Sequence, residues 1–352
     1  MRCRSGYTAF AAIASVLACR ASPPTRVPRP HGAAATPAIE LLSCVDLPRG
    51  EPLSHNLSGL AWDAAAGLLY AVSDRDKQLT VLKPRPGLDG YEFLAPIALD
   101  IQIPAWDGEA LTLAGDRFFV VAEESERAVF SVDRSGRDAT PIALPGYRGT
   151  RDNLGLEGLG YAASAAGRYV FTVNEAALEG DGPTSTVAHG TVVRILRHRL
   201  DGGDDLEVAY LTEPVFADGT RAENGVSDLV ALSPDRVLLL ERAYVRDTGN
   251  AIRVYEVDLR AAPNIIGLAD ARAVAPVAKR LVFDLAQVPD HHCSTTPQPQ
   301  RRPALENYEG MTLGPTLGDG RQVLFMVSDD NFRPFSRQVA RILALALAPG
   351  VL

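Results

Sequence analysis

Apolar residues in this chain come in strand-length runs separated by short polar turns, and five pairs of these runs share a signature. Each pair opens on a small tripeptide that ends in Leu or Met: Ser58-Gly59-Leu60, Glu109-Ala110-Leu111, Glu157-Gly158-Leu159, Ser227-Asp228-Leu229 and Glu309-Gly310-Met311. One short hairpin later a second apolar run stops on a carboxylate, at Asp74, Glu123, Glu175, Glu241 and Asp329. Recurrence at long period marks a repeat architecture. Because the runs are short and helical periodicity is almost absent, the repeats read as all-β.

Each repeat divides into four strands. The first gives 57–62, 68–73, 78–82 and 91–99, and the second 109–113, 117–123, 128–132 and 138–144. The third gives 157–161, 168–175, 191–200 and 206–216, with an insertion at 176–190. The fourth gives 227–232, 236–241, 251–259 and 277–285, with insertions at 260–276 and 286–306. The fifth supplies only 309–313, 322–328 and 338–347 before the chain ends. Residues 39–47 resemble 280–285 in kind and fit the missing strand, so an N-terminal strand would complete the last blade and close a ring without exposed edges. The expected fold is a β-propeller of five blades by repeat count, or six if an insertion in repeat three or four hides a short blade.

Composition supports a folded domain. With 46% hydrophobic and 22% charged residues among 352, the chain can bury a large core. Its net charge of -8 and lack of a basic block exclude general attraction to nucleic acid. Residues 1–19 carry Arg2 and Arg4 ahead of a short apolar segment, the layout of a signal peptide, too short for a good membrane span. The segment ends in Val16-Leu17-Ala18-Cys19, which resembles a bacterial lipobox with Cys19 lipidated; ordinary cleavage a few residues later is the alternative. Residues 20–38, rich in Pro and Ala, read as a flexible tether to a folded domain at 39–352. Export implies a periplasmic, outer-membrane lipoprotein or secreted location, with the membrane touched only through an N-terminal lipid. In an oxidising compartment Cys44 and Cys293 suggest one disulfide, which ring closure would bring together; two free buried thiols are the alternative.

The repeated carboxylates are the candidate chemistry. If the tripeptides begin the inner strands, Glu109, Glu157, Asp228 and Glu309 converge on one axis, with Asp74, Glu123, Glu175, Glu241 and Asp329 around the entrance. Carboxylates that close raise one another's pKa unless a cation neutralises them, and oxygen-only ligands favour Ca²⁺ or Mg²⁺ over Zn²⁺. The competing reading is ordinary strand-start chemistry with acids facing water. Serine at two tripeptides leaves the ring unequal, so an ion or substrate is expected off-centre, towards Glu109, Glu157, Asp228 and Glu309. Arg75, Arg242 and Arg333 lie beside acids and suit an oxyanion, although surface ion pairing would read the same. Asn56, Asn153, Asn224 and Asn307 precede four tripeptides and read as turn residues, with additional oxygen ligands as the alternative. Gly225-Val226-Ser227-Asp228-Leu229 fails as a nucleophile elbow at its last position, and no phosphate-binding or dinucleotide loop is present. His291-His292-Cys293 reads as a surface excursion, since adjacent residues on an extended loop point apart.

Ser58-Gly59-Leu60-Ala61-Trp62-Asp63, Asp107-Gly108-Glu109-Ala110-Leu111, Asn153 through Leu159, Leu240-Glu241-Arg242, and Asn307 through Met311 with Ser328 through Phe332 resemble the phytase-like domain family described as having "esterase-like activity of phytase". The resemblance runs from about residue 50 to the C-terminus. It implies an exported bacterial propeller-like domain with phosphoesterase or esterase activity, akin to calcium-dependent propeller phytases. Ser58 and the Ser227-Asp228 shift depart from a uniform acidic pattern. The reading is a Ca²⁺-dependent hydrolase of phosphate or carboxylate esters, monomeric, acting on a small anionic ester, with the acids holding metal and Arg75 or Arg242 steadying the leaving oxyanion. Its rivals are a non-catalytic ligand- or protein-binding propeller at the cell envelope, and a lactone hydrolase with one channel calcium.

Overall fold

The computed structural model describes residues 38–123, 128–145, 149–151, 153–332 and 336–352. The leader, Cys19 and nearly all of the tether lie outside the described residues. Five four-stranded antiparallel sheets form, four of them following chain order outward from the tripeptide strand. The inner strands are Leu57–Asp63, Ala110–Ala114, Leu156–Ser164, Ala222–Ser233 and Tyr308–Thr316. Each packs against the next, and the fifth returns to the first, closing a five-bladed β-propeller. The final sheet takes its outer strand from the N-terminus: Ile39–Asp46 pairs antiparallel with Arg341–Leu347, from Ile39 opposite Leu347 to Asp46 opposite Arg341.

The core lies between blades. Each of the five main apolar clusters is shared by two neighbouring sheets, as where Tyr70 and Val72 of the first blade meet Phe118 and Val120 of the second. Burying one sheet face against the next stabilises the ring by roughly 25 cal/mol per Å² of apolar surface removed from water. No described helix is long and apolar enough to cross a membrane.

The tripeptide divides into three jobs. Its last residue, Leu60, Leu111, Leu159, Leu229 or Met311, is buried and lines an apolar recess with its counterparts. The middle residue lies where inner strands approach most closely: a Cβ at Gly59 would overlap the backbone of Ala110 and Leu111, and one at Gly310 would overlap Ser58 O. The first residue sits on a register shift. The inner hairpins slip between Leu57 and Leu60, Leu156 and Gly158, Val226 and Asp228, and Tyr308 and Gly310. Such β-bulges re-aim a side chain out of the pleat and recur beside functional sites.

Blade four departs from the sequence expectation. Its first strand starts at Ala222 rather than 227, and its second runs to Val245 rather than 241. Val245, Asn250 and Ala251 are buried on the extra rungs. Asn250 accepts hydrogen bonds from Gln298 (3.1 Å) and Gln300 (2.8 Å) of the 286–306 excursion. That covering sustains the extension, which rises as a wall on one side of the axis. Two outer strands are also shorter than expected: that of blade two is reduced to Thr140–Pro141 and that of blade three ends at Leu211 rather than 216.

Cys44 and Cys293 are joined, with Cα atoms 5.1 Å apart. The bridge ties the closing strand to the 286–306 excursion across 249 residues of sequence. Reduction, or a C44S/C293S double variant, is expected to lower the unfolding free energy by about 2–5 kcal/mol. Thermal melts with and without reductant check this; an unchanged wild-type Tm on reduction would mean that the closing strand holds without its tie.

Candidate functional site

At the end of the axis where the inner strands begin lies a cavity of about 710 Å³. The bulges place Glu157 and Glu309 in its lining, and Glu109 joins them from the residue before its strand. Asp74, Glu175 and Asp329 enter from the ends of second strands, with Arg75 and Arg242 beside them. Eight sequence-nominated side chains therefore share one cavity.

Their charges are unevenly compensated. Arg242 donates from Nη2 to Glu175 Oε1 (2.9 Å) and from Nη1 to Asn307 Oδ1 (2.7 Å), with Glu309 Oε1 3.9 Å away. Burial disfavours its charge, but Glu175, Glu309, Glu223 and Glu157 together more than restore it, so the guanidinium stays firmly protonated. Arg242 is thus the counter-ion of one half of the site.

Across the cavity the acids lack such a partner. Burial pushes Asp74 up to about 7; Arg75 opposes the shift, while Glu309 and Asp107 add to it. Arg75 Nε reaches Asp74 Oδ2 at 3.2 Å, whereas buried Asp74 Oδ1 accepts no hydrogen bond. Burial likewise raises Glu309 against the pull of Arg242, and raises Asp329 well above the carboxylate range with Glu309 and Asp74 contributing. The acids with the most strongly raised pKa values in the cavity, Asp74, Glu309 and Asp329, sit between blades five and one. Of the four acids towards which an ion was expected to lie, Glu109, Glu157 and Glu309 line the cavity and Asp228 does not.

Two nominated acids belong elsewhere. Asp228 is fully buried at the middle tripeptide position, where other blades carry Gly or Ala. Its Oδ1 accepts the N–H of Leu229 (2.7 Å) and its Oδ2 that of Met311 (2.6 Å), with the Leu159 N–H also directed at it. One carboxylate therefore bridges three inner strands instead of lining the cavity. Glu241 is also buried: it accepts from Tyr210 Oη (2.5 Å), Lys279 Nζ (2.7 Å), the Glu213 N–H (2.9 Å) and Asn224 Nδ2 (3.1 Å). These partners fasten blade four to the end of blade three and use its lone pairs. Glu123 ends its strand, but its side chain lies outside the described residues, as does Arg333.

The asparagines split. Asn56 and Asn153 have φ of 53° and 55°, as turns require. Asn224 and Asn307 instead hydrogen-bond the buried acids, Asn307 giving Nδ2 to Glu309 Oε1 at 2.7 Å. Cys293 is spent in the disulfide, so His291-His292-Cys293 forms no cluster of ligands. Asp107, Glu223, Arg221, Tyr244 and Arg337 also line the cavity. Continued alternation through Leu239, Glu241, Ala243 and Val245 signals the blade-four extension that carries Glu223 and Tyr244. Nothing local marks Arg337. Among the described residues no three His, Cys, Asp or Glu side chains form a ready-made ion-binding group.

Glu306, next to Asn307, is a further perturbed acid. No well-aligned hydrogen bond reaches either of its buried carboxylate oxygens, and burial pushes its pKa up to about 7 against the weaker pull of the Thr296 hydroxyl, Arg341 and the Asn307 N–H. A raised folded pKa means the fold prefers the protonated form. Stability from Glu306 is therefore full below about 4.5 and declines as pH rises to about 7, by about 3 kcal/mol. A Glu306→Gln variant is expected to melt above wild type at pH 8, with the gap shrinking by pH 5. A gap independent of pH would refute this assignment.

A family model described as "Phytase-like: Esterase-like activity of phytase" matches residues 53–332. No curated protein matches in sequence. Among solved structures, an endo-arabinase from Bacteroides thetaiotaomicron aligns with TM-score 0.45 and 11% identity, over 86% of this chain and 95% of that one. A GH43_1 enzyme from Xanthomonas citri complexed with xylose aligns with TM-score 0.45 and 15% identity, over 85% and 89%. A luciferin-regenerating enzyme gives TM-score 0.37 and 13% identity, over 90% and 96%.

Proposed function

This chain belongs to the phytase-like family, and we propose that it is an exported hydrolase of phosphate or carboxylate esters that works with a divalent cation, Ca²⁺ by preference. The carrying observation is a partly compensated acid group: Asp74, Glu309 and Asp329 line the cavity and raise one another's pKa, and a buried Asp74 oxygen has no donor. Acids that raise one another's pKa favour either a retained proton or a cation. Their oxygen-only chemistry fits a hard cation, and Ca²⁺ accepts amide, backbone and water oxygens where carboxylates do not all converge. Asp74, Glu309 and Asp329 would hold it. When bound, a divalent cation supplies charge neutralisation and Lewis-acid polarisation of an anionic ester.

The remaining work falls to the chain's own groups. Arg75, about half exposed beside Asp74, is placed to orient an oxyanion at the rim. Arg242 is a positioning residue: its guanidinium is committed to Glu175 and Asn307, and Asn307 in turn fixes Glu309. Near neutral pH Asp74 holds a proton for part of the time, since its pKa is about 7; cation binding would release it. The Cys44–Cys293 bridge supports export, because disulfides persist in oxidising compartments.

Hydrolysis of a panel of phosphate and carboxylate esters, measured with and without chelator, tests the reading. Activity should vanish on chelation and return with Ca²⁺, and each of Asp74→Asn and Asp329→Asn should weaken the Ca²⁺ response. Turnover indifferent to chelator would sink the cation's role. No turnover by Ca²⁺-loaded protein on any ester would leave a ligand-binding propeller.

A further inference from the structure

The cavity adjoins a second recess of about 360 Å³ that shares Tyr244, Gln298 and Arg337 with it. Arg246 and Arg337 line this recess, and Arg221 lines the main cavity nearby. Several exposed arginines elsewhere take a carboxylate, as Arg168 with Asp201, Arg260 with Asp258, Arg272 with Asp270 and Arg280 with Glu256, whereas Arg49 bonds a carbonyl and Arg301 stacks on Phe216. The guanidinium groups of Arg221, Arg246 and Arg337 make no ion pair or hydrogen bond among the described residues. Three uncommitted cations thus gather beside a strongly acidic cavity.

The recess is built, not incidental. Its wall is the extended hairpin of blade four, sealed against the excursion where Asn250 N donates to Gln300 Oε1 (2.8 Å) and Gln300 Nε2 donates back to Asn250 Oδ1 (2.8 Å). Gly249, with φ of 99°, fits where a Cβ would overlap Pro299 O and Gln300 Oε1. The recess has one carboxylate, Asp247, at the hairpin tip. Two guanidinium groups outweigh it, and planar guanidinium forks match tetrahedral oxyanions bidentately.

We propose that this recess is an anion subsite for a phosphate group, gripped by Arg246 and Arg337, so that a ligand with two anionic groups spans from the acid side of the cavity to the recess. That the ligand is a substrate rests on the hydrolase reading above; phosphate binding itself does not. Arg221 lies along the route and would draw the second group inward. A charge-neutral ester, or one with a single anionic group, leaves the recess unused.

Calorimetry with inorganic phosphate on chelator-treated full-length protein tests the subsite without turnover. Wild type should bind, R246Q/R337Q should bind at least tenfold more weakly with an unchanged melting temperature, and Asp329→Asn should bind as wild type does. Equal binding by R246Q/R337Q overturns the proposal, and so does loss of binding in Asp329→Asn, which would place phosphate on the acids. A second arm, with Ca²⁺ present, compares a phosphomonoester with a bisphosphate. Tighter binding of the bisphosphate, lost in R246Q/R337Q, supports a spanning ligand; equal affinity overturns it.

Discussion

Replacing Asp228 with alanine is expected to cost about 3–6 kcal/mol of stability, more than any change at the cavity wall. Alanine keeps the Cβ that Asp228 already carries, so it meets no steric obstacle. What disappears is the acceptor for the Leu229, Met311 and Leu159 N–H groups. Each N–H left buried without a partner costs about 1–3 kcal/mol. Burial pushes the Asp228 carboxyl well above its usual range, while those same donors pull it back. Denaturant unfolding of Asp228→Ala checks the magnitude, and Ca²⁺ calorimetry on any folded fraction checks the role. Intact stability with lost ion binding would return Asp228 to the ligand set; the reverse pattern is expected.

Replacing Arg242 with methionine is expected to destabilise the protein by about 3–5 kcal/mol at pH 8, the usual penalty for removing one partner from a buried charge group. Methionine keeps most of the packed volume and removes the charge on which Glu175, Glu309, Glu223 and Glu157 depend. The folded pKa of Glu309, already raised by burial, then rises further above its unfolded value. A raised carboxylate pKa gives stability that is present below the unfolded value and lost as pH rises through the folded one. The variant should therefore recover as pH falls towards 5. Wild type should show a shallower slope of the same sign, because Asp74 and Glu309 are already raised. Divalent cations should also restore part of the loss, by replacing the missing positive charge. Parallel pH–stability profiles for variant and wild type would show that Arg242 is not their counter-ion.

Much of the ring was legible because its rules are local. Alternating apolar residues between turns dictate strands, and five recurrences dictate five blades. The strand around Cys44 announced itself as the one unmatched run able to complete the last sheet, and the Cys44–Cys293 bridge followed from that placement. The chemistry was less legible for a specific reason. A carboxylate in a repeat reads the same whether it faces a cavity, as Glu309 does, or bridges backbone N–H groups, as Asp228 does. Likewise Glu175 and Glu241 both end second strands, yet one meets Arg242 in the cavity and the other is enclosed by Tyr210 and Lys279.

Sequence by itself determined the all-β repeat, the closure by the N-terminal strand, and the tripeptide as the marker of each inner strand. Those features follow from backbone hydrogen bonding and apolar alternation, which act over a few residues. Tertiary structure alone decided which acids share a volume, that Arg242 is the counter-ion of one half of them, and that the most perturbed acids of the cavity fall between blades five and one. It also decided that Arg337 comes to line the same recess as Arg246 of blade four. Charge compensation depends on distance in space and on burial, and residues some tens or hundreds of positions apart acquire both only when the ring closes.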